Sequence, residues 1–343
     1  MDKPAPSRPR TPFLVTFALV AIAGFLLVRN GESWLRQILI YLSQAGWARS
    51  LVSNRSVSWR VASRFVAGSD RDAAVDVTRA INNNGLLVTL DYLGESCTNE
   101  GEALQAKSEI IRLLDEIERH KLRANVSLKP TQLGLKISPQ MARDNICDLV
   151  QRAQQVGNFI RIDMEDTSAT DATLGIYRYI RHEVGLDNVG VVIQSYLYRS
   201  EDDIETLIDD GARVRLCKGA YAEPPEHAYP LKIDTDANYI NLSHLLLSSR
   251  ARDRGVYPAF ATHDPRMIDE VKLYVSNNQI PYSGFEFQML YGIRRDLQQA
   301  LVREGYQVRV YVPYGTAWYP YFVRRLAERP ANLWFFASNL LRA

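Results

Sequence analysis

The sequence predicts an α/β fold, specifically a distorted (β/α)8 barrel, and three observations support it. Eight short runs rich in β-branched and aromatic residues recur from residue 86 onward, and amphipathic helical stretches separate them. The first run ends in "LDYLGESCTNEG", with no GxGxxG turn, and no Walker-type lysine pattern occurs anywhere in the chain. Repeated strand-helix units without a dinucleotide turn favour a closed parallel barrel over a doubly wound sheet.

The eight runs are "LLVTLDYLG" (86 to 94), "ANVSLK" (124 to 129), "FIRIDME" (159 to 165), "VGVVIQSYL" (189 to 197), "RVRLCKGAY" (213 to 221), "PAFATHD" (258 to 264), "GFEFQML" (284 to 290) and "QVRVYVPYG" (307 to 315). Stretches such as "EALQAKSEIIRLLDEIERH" (102 to 120) and "DDIETLIDDG" (202 to 211) carry helical apolar periodicity between them. Upstream, residues 31 to 84 read as an N-terminal helical arm, with Trp34, Leu35, Ile38, Leu39 and Leu42 at helical spacing. The barrel domain is expected over 85 to 343, after the Asn82-Asn83-Asn84-Gly85 turn.

Residues 1 to 30 form a separate extension. Its segment "PFLVTFALVAIAGFLLV" (12 to 28) is uncharged and flanked by Lys3, Arg8, Arg10 and Arg29. That length sits at the short edge of the roughly 17 to 25 residues a spanning helix needs, so membrane anchor, signal-peptide core and buried helix all remain open. Over the whole chain 46% hydrophobic residues suffice for a large core, and 41 basic against 39 acidic residues give no field suited to nucleic acid. Three distant cysteines, Cys97, Cys147 and Cys217, and five scattered histidines offer no zinc spacing, so no metal is expected.

In a parallel barrel, function gathers at the C-terminal strand ends. Those ends carry Lys129, Asp163 with Glu165, Gln194 with Tyr196, Arg215 with Lys218 and Tyr221, Thr262 with His263 and Asp264, Glu286 with Gln288, and Tyr311 with Tyr314. Cations so close together must be answered by anions, in part Asp163 and Glu165, in part a ligand. "RLCKGAY" reads either as a phosphate or flavin cradle, in which Gly219 admits a ligand close to the backbone, or as a structural bulge. His263 is open to a catalytic or a structural reading. After the last run comes "YFVRRLAERP" (321 to 330), where Arg324 and Arg325 stand side by side among aromatic residues, a combination suited to a small ring-shaped carboxylate.

Taken in order, "SLK", "DME", "VVIQSYLYRS", "RLCKGAY", "ATHD", "FEFQMLYGIRR" and "YVPYG" followed by "WYPYFVRRLAERP" resemble the proline dehydrogenase family over residues 34 to 343, most closely its short monofunctional bacterial type. The resemblance implies an FAD enzyme that oxidises L-proline to Δ1-pyrroline-5-carboxylate, the first step of proline catabolism, by hydride transfer to flavin N5, with a membrane quinone as electron acceptor. It implies a C-terminal helix across the barrel mouth carrying Tyr321, Arg324 and Arg325.

By position, Lys129, Arg324 and Arg325 would bind the proline carboxylate, while Tyr311, Tyr321, Tyr221 and Leu290 wall the ring. Asp163 and Tyr221 would be the catalytic pair. Met164, Gln194, Arg215, Lys218, Gly219, Ala220, Thr262, His263, Gln288 and Glu328 would hold FAD, with Arg215 near N5. Cys217 stands where the motif usually has valine, and Tyr311 fits proline rather than hydroxyproline. The expected localisation is the cytoplasmic side of the membrane, with contact through residues 12 to 28. Two other readings are weighed: a metal-dependent barrel hydrolase on Asp163, Glu165 and His263, and a membrane-tethered binding barrel without turnover.

Overall fold

The computed structural model describes Trp59 and residues 62 to 327, apart from Glu95 and Ala222. The chain divides into two compact units, Ser63–Trp318 and a second made of Met1–Ala62 with Tyr319–Ala343. In the first, β1 (Leu87–Tyr92), β2 (Ala124–Leu128), β3 (Ile160–Ile162), β4 (Val189–Gln194), β5 (Arg213–Cys217), β6 (Tyr257–Ala261), β7 (Glu286–Leu290) and β8 (Val308–Tyr314) pair in chain order. Every pair is parallel, and β8 closes on β1 with Leu87 opposite Arg309. Seven of the eight expected runs contain one strand each, and β6 begins one residue before the run expected over 258 to 264.

Helices α1 (Arg71–Asn83), α2 (Glu100–Arg119), α3 (Pro139–Gln155), α4 (Thr167–Arg178), α5 (Ser200–Asp209), α6 (Lys232–Leu246), α7 (Ser249–Asp253), α8 (Pro265–Asn277) and α9 (Arg295–Arg303) belong to the same unit. Their starts are written in the local sequence. Asn99 accepts a hydrogen bond from the Glu102 amide, while the Glu102 carboxylate reaches back to the Thr98 amide, a reciprocal cap for α2. Ser138 caps α3 and Asp264 caps α8, each followed by a proline whose missing N–H costs nothing in the first turn. Along α2, Ala103, Ala106, Ile110, Leu113, Leu114 and Ile117 form one buried stripe. Of the helical arm expected over 31 to 84, α1 is helical and residues 63 to 70 are turn, irregular chain and bend; residues 31 to 58, 60 and 61, like the apolar segment 12 to 28, lie outside the described residues. Among the described residues no helix is long and apolar enough to cross a membrane. The last described element is α10 (Trp318–Ala327).

Strand alternation sorts the side chains sharply. Val88, Leu90, Val126, Leu128, Ile160, Ile162, Val214, Leu216, Val310 and Val312 belong to the apolar cluster shared with the helices. The intervening residues, Thr89, Asp91, Ser127, Arg161, Asp163, Arg215, Glu286 and Gln288, are buried and polar. Hydrogen bonds from Arg215 on β5 to Ser127 on β2 and Gln288 on β7 join strands that are not neighbours, so these groups meet inside the barrel. The lumen is therefore polar where most parallel barrels fill it with branched aliphatics.

The fully buried stripe of α2 and its exposed side differ in consequence. Leu114→Ala should lower unfolding free energy by about 2 to 5 kcal/mol, whereas Leu104→Ala, on the exposed face, should change it by less than about 0.5 kcal/mol. Urea unfolding of the two variants measures the difference.

Candidate active site

The C-terminal half of the lumen is organised around Asp163, which directly follows β3. Its Oδ1 accepts from Ser127 Oγ at 2.5 Å and from Arg215 Nη1 at 2.7 Å, and its Oδ2 accepts from the Tyr311 hydroxyl at 2.8 Å. Lys129 Nζ lies 3.6 Å from the same Oδ2, 3.1 Å from Asp91 Oδ2, and 3.3 Å from the Tyr311 oxygen. Arg215 also stacks over the Tyr311 ring, 5.2 Å from its centroid, and donates from Nε to Gln288 at 2.5 Å.

These contacts set the charge states. Burial by itself raises the Asp163 carboxyl, but Arg215 and Lys129, helped by the Ser127 and Tyr311 hydroxyls, hold it below its ordinary value. Asp91 goes the other way: burial raises it, and the neighbouring Asp163 charge raises it further, against the pull of Lys129. Tyr311 is pushed well up by burial and by both carboxylates, so its hydroxyl stays a proton donor at neutral pH. Two carboxylates therefore face two cations. Within the basic rim expected from the sequence these four form a balanced quartet, in which Asp91 joins Asp163 as an acid facing Lys129, while the Glu165 carboxylate accepts from the Thr131 amide and hydroxyl. Asp91 was legible as the polar residue near the end of "LVTLDY", the one strand end left out of the sequence tally.

Around this centre stand the other expected residues. Gln194 donates to the Glu165 carbonyl and accepts from the Ala220 amide, tying β4 to the loops after β3 and β5. Lys218 is held between Asp236 at 2.6 Å and Asp264 at 2.7 Å, so its ammonium already bridges α6 and the start of α8. His263 Nε2 accepts from the Leu290 amide at 2.9 Å, which fixes the end of β7. Thr262 and Met164 are buried at the ends of β6 and β3, while Tyr221 is half-buried beyond β5. Gly219, at φ 126°, lies under the Tyr196 ring, and a Cβ there would meet that ring at 2.3 Å. Within this chain, then, an aromatic neighbour requires the glycine.

The remaining expected residues lie on or beyond α10. Arg325 stacks over Tyr321 at 5.0 Å within that helix, Arg324 is its neighbour in sequence, and Glu328 lies outside the described residues. Asp163 accepts from Arg215, Glu165 from Thr131 and His263 from the Leu290 amide, and no group of three or more residues that could hold a metal ion occurs among the described residues.

The family model for proline dehydrogenase matches residues 74–338. The chain belongs to the proline dehydrogenase family. Proline dehydrogenase 1 of Bacillus subtilis (strain 168) is 42% identical over 309 residues, covering 90% of this chain and 99% of that one. Proline dehydrogenase of Deinococcus radiodurans is 40% identical, covering 84% and 92%. Among solved structures, proline utilization A (PutA) from Bdellovibrio bacteriovorus, inactivated by N-propargylglycine, aligns with a TM-score of 0.73 at 28% identity. The alignment covers 82% of this chain and spans about a third (34%) of that longer protein. The enzyme is thus a proline dehydrogenase, and proline is its implied substrate.

Two outcomes test the quartet. Asp91→Asn leaves the site with one excess positive charge and a loosened Lys129, and should lower kcat/KM for proline about tenfold, or about 1.4 kcal/mol; steady-state kinetics checks it. Because the folded Asp163 value lies below 3.8, its ionised form stabilises the fold fully above that pH, and this contribution disappears as pH falls below 3.8 through the lowered value. Asp163→Asn should accordingly flatten the acid limb of thermal stability, read by calorimetry across that range.

Proposed function

We propose that the enzyme is FAD-dependent, oxidising L-proline to Δ1-pyrroline-5-carboxylate and passing the electrons to a membrane quinone. The observation that carries the cofactor reading is Arg215. It is only 6% exposed, yet its Nη2 has no hydrogen-bond partner among the described residues. A buried guanidinium edge left open is costly unless a ligand acceptor fills it, and a flavin ring that gains negative charge on reduction fits that need. When bound, FAD would supply the two-electron acceptor, taking a hydride at N5.

Met164, Gln194, Lys218, Gly219, Ala220, Thr262, His263, Gln288 and Glu328 are the further residues assigned to FAD. In this assignment Lys218 keeps Asp236 and Asp264 as partners and offers its remaining proton. Gln288 holds Arg215 in place through Nε.

For the substrate, the Tyr311 ring and hydroxyl, with Tyr221, Tyr321 and Leu290, wall the pyrrolidine. The carboxylate is assigned to Arg324, Arg325 and Lys129. The two arginines matter most here, because Asp91 and Asp163 already answer the Lys129 charge, so a third carboxylate needs cations of its own. This assignment rests on the Tyr321-x-x-Arg324-Arg325 motif. Asp163 serves as an ionised acceptor for the ring N–H. Hydride leaves readily only from the neutral amine, so the ammonium proton must pass to solvent first, and the cations of the site favour that loss by like-charge repulsion. Tyr221 completes the polar side of the pocket.

Quinone reduction gives the apolar segment 12 to 28 a purpose, since an anchored enzyme stays beside a lipid-soluble oxidant on the cytoplasmic face. Purified enzyme should show flavin absorbance that bleaches on adding proline, and its absence would sink the cofactor assignment. Arg324→Met and Arg325→Met should each raise KM for proline about 10- to 100-fold, the loss of charge-assisted hydrogen bonds of about 1.5 to 3 kcal/mol, with flavin absorbance unchanged. Deleting residues 1 to 30 should move the enzyme from the membrane fraction to the soluble one in fractionated cells.

A further inference from the structure

The opposite, N-terminal end of the barrel opens into a hollow of about 880 Å³, lined by the first residues of the strands and the turns before them. Six of its lining residues are cationic and three anionic, an excess of three positive charges on a chain whose net charge is only +2. Arg309 takes Glu286 as its ion-pair partner. Four other arginines have none among the described residues. Arg123 donates to the Asn82 carbonyl, Arg181 to the Asp210 carbonyl, and Arg161 to the Val191 and Arg213 carbonyls, while Arg213 lies over the Phe159 and Tyr257 rings. Carbonyls and rings accept hydrogen bonds or soften a charge, but they do not neutralise it.

Arg161 is the informative member. It is 2% exposed, and its Nε has no partner among the described residues. Space has been kept for it: a Cβ on Gly190 would meet Arg161 Nη1 at 2.7 Å and the Arg213 carbonyl at 2.3 Å. Burial, and then repulsion from Arg215, pull this guanidinium down to about 9, so the charge is held there at a cost that a nearby anion would relieve.

We propose that this hollow binds a small dianionic oxyanion, inorganic phosphate or a phosphate monoester, between Arg123, Arg161, Arg181 and Arg213. The four arginines come from the segment leading into β2, from β3, from the turn after α4 and from the start of β5, and all four line the one hollow. A tetrahedral anion presents oxygens in several directions and can meet such a set, whereas a single carboxylate presents two in one plane. The half-open shape leaves room for an esterified group. The site does not depend on the cofactor or substrate assignments, because none of its residues takes part in them.

The test uses the full-length enzyme at constant ionic strength, with the anion replacing potassium chloride. Inorganic phosphate, glycerol phosphate and malonate are titrated by calorimetry, with thermal unfolding followed in parallel and proline turnover as the check on folding. Saturable one-to-one phosphate binding that raises the unfolding temperature, and that weakens about tenfold in Arg213→Gln through loss of one charge-assisted contact, supports the site. Arg181→Gln, which loses only one hydrogen bond to a carbonyl, should weaken it similarly and serves if Arg213→Gln fails to fold. Binding of glycerol phosphate as tightly as phosphate assigns the site to monoesters, and much weaker binding assigns it to the free ion. Tighter binding of malonate, unaltered affinity in a folded variant, or no saturable binding at all overturns the proposal.

Discussion

The Asp163 carboxylate and the ring of donors around it are the constraint on which the rest of the enzyme depends. Burying an ionised carboxylate is expensive, and only pairing with good hydrogen bonds offsets that cost. Here Ser127 from β2, Lys129 just beyond it, Arg215 from β5 and Tyr311 from β8 all converge on one side chain after β3. The partners come from three separate parts of the circle, β2 and its end, β5 and β8, so the network forms only when the barrel is closed. Removing the Asp163 carboxylate would take away the carboxylate that Arg215 pairs with inside the barrel.

The same alternation that turns valine, isoleucine and leucine toward the helices leaves every second residue for the lumen, and those residues were spent on polarity. Packing on the outside of the barrel therefore supplies the stability that allows a charged interior. Along the axis the charges run on from Asp163 through Arg215 and Gln288 to Glu286 and Arg309. The two ends differ in balance. Near the C-terminal strand ends two carboxylates meet two cations, whereas the N-terminal hollow keeps an excess of guanidinia.

A balanced quartet shapes the chemistry available at the C-terminal end. Lys129 does not stand as a free cation for a substrate carboxylate, and Asp163 is ionised but weakly basic. The protonated Tyr311 hydroxyl lies between them, donating to Asp163 and accepting from Lys129. Such a site orients a substrate through hydrogen bonds, while its cations, by like-charge repulsion, favour the unprotonated amine that oxidation requires.

Much of this was legible in the sequence. The eight runs marked the eight strands because apolar periodicity and turn residues act locally. The strand-end rule also picked out Lys129, Asp163, Arg215, Gln288 and Tyr311, since position along a strand is a one-dimensional fact. What the chain order could not show was who faces whom. That Asp91 answers Lys129, that Lys218 is held by Asp236 and Asp264, and that Tyr196 requires Gly219 all follow from closing the barrel, which brings residues dozens of positions apart into contact. Local pattern determined the elements and the candidate residues; the register and curvature of the closed sheet decided their partners, and with them the charges.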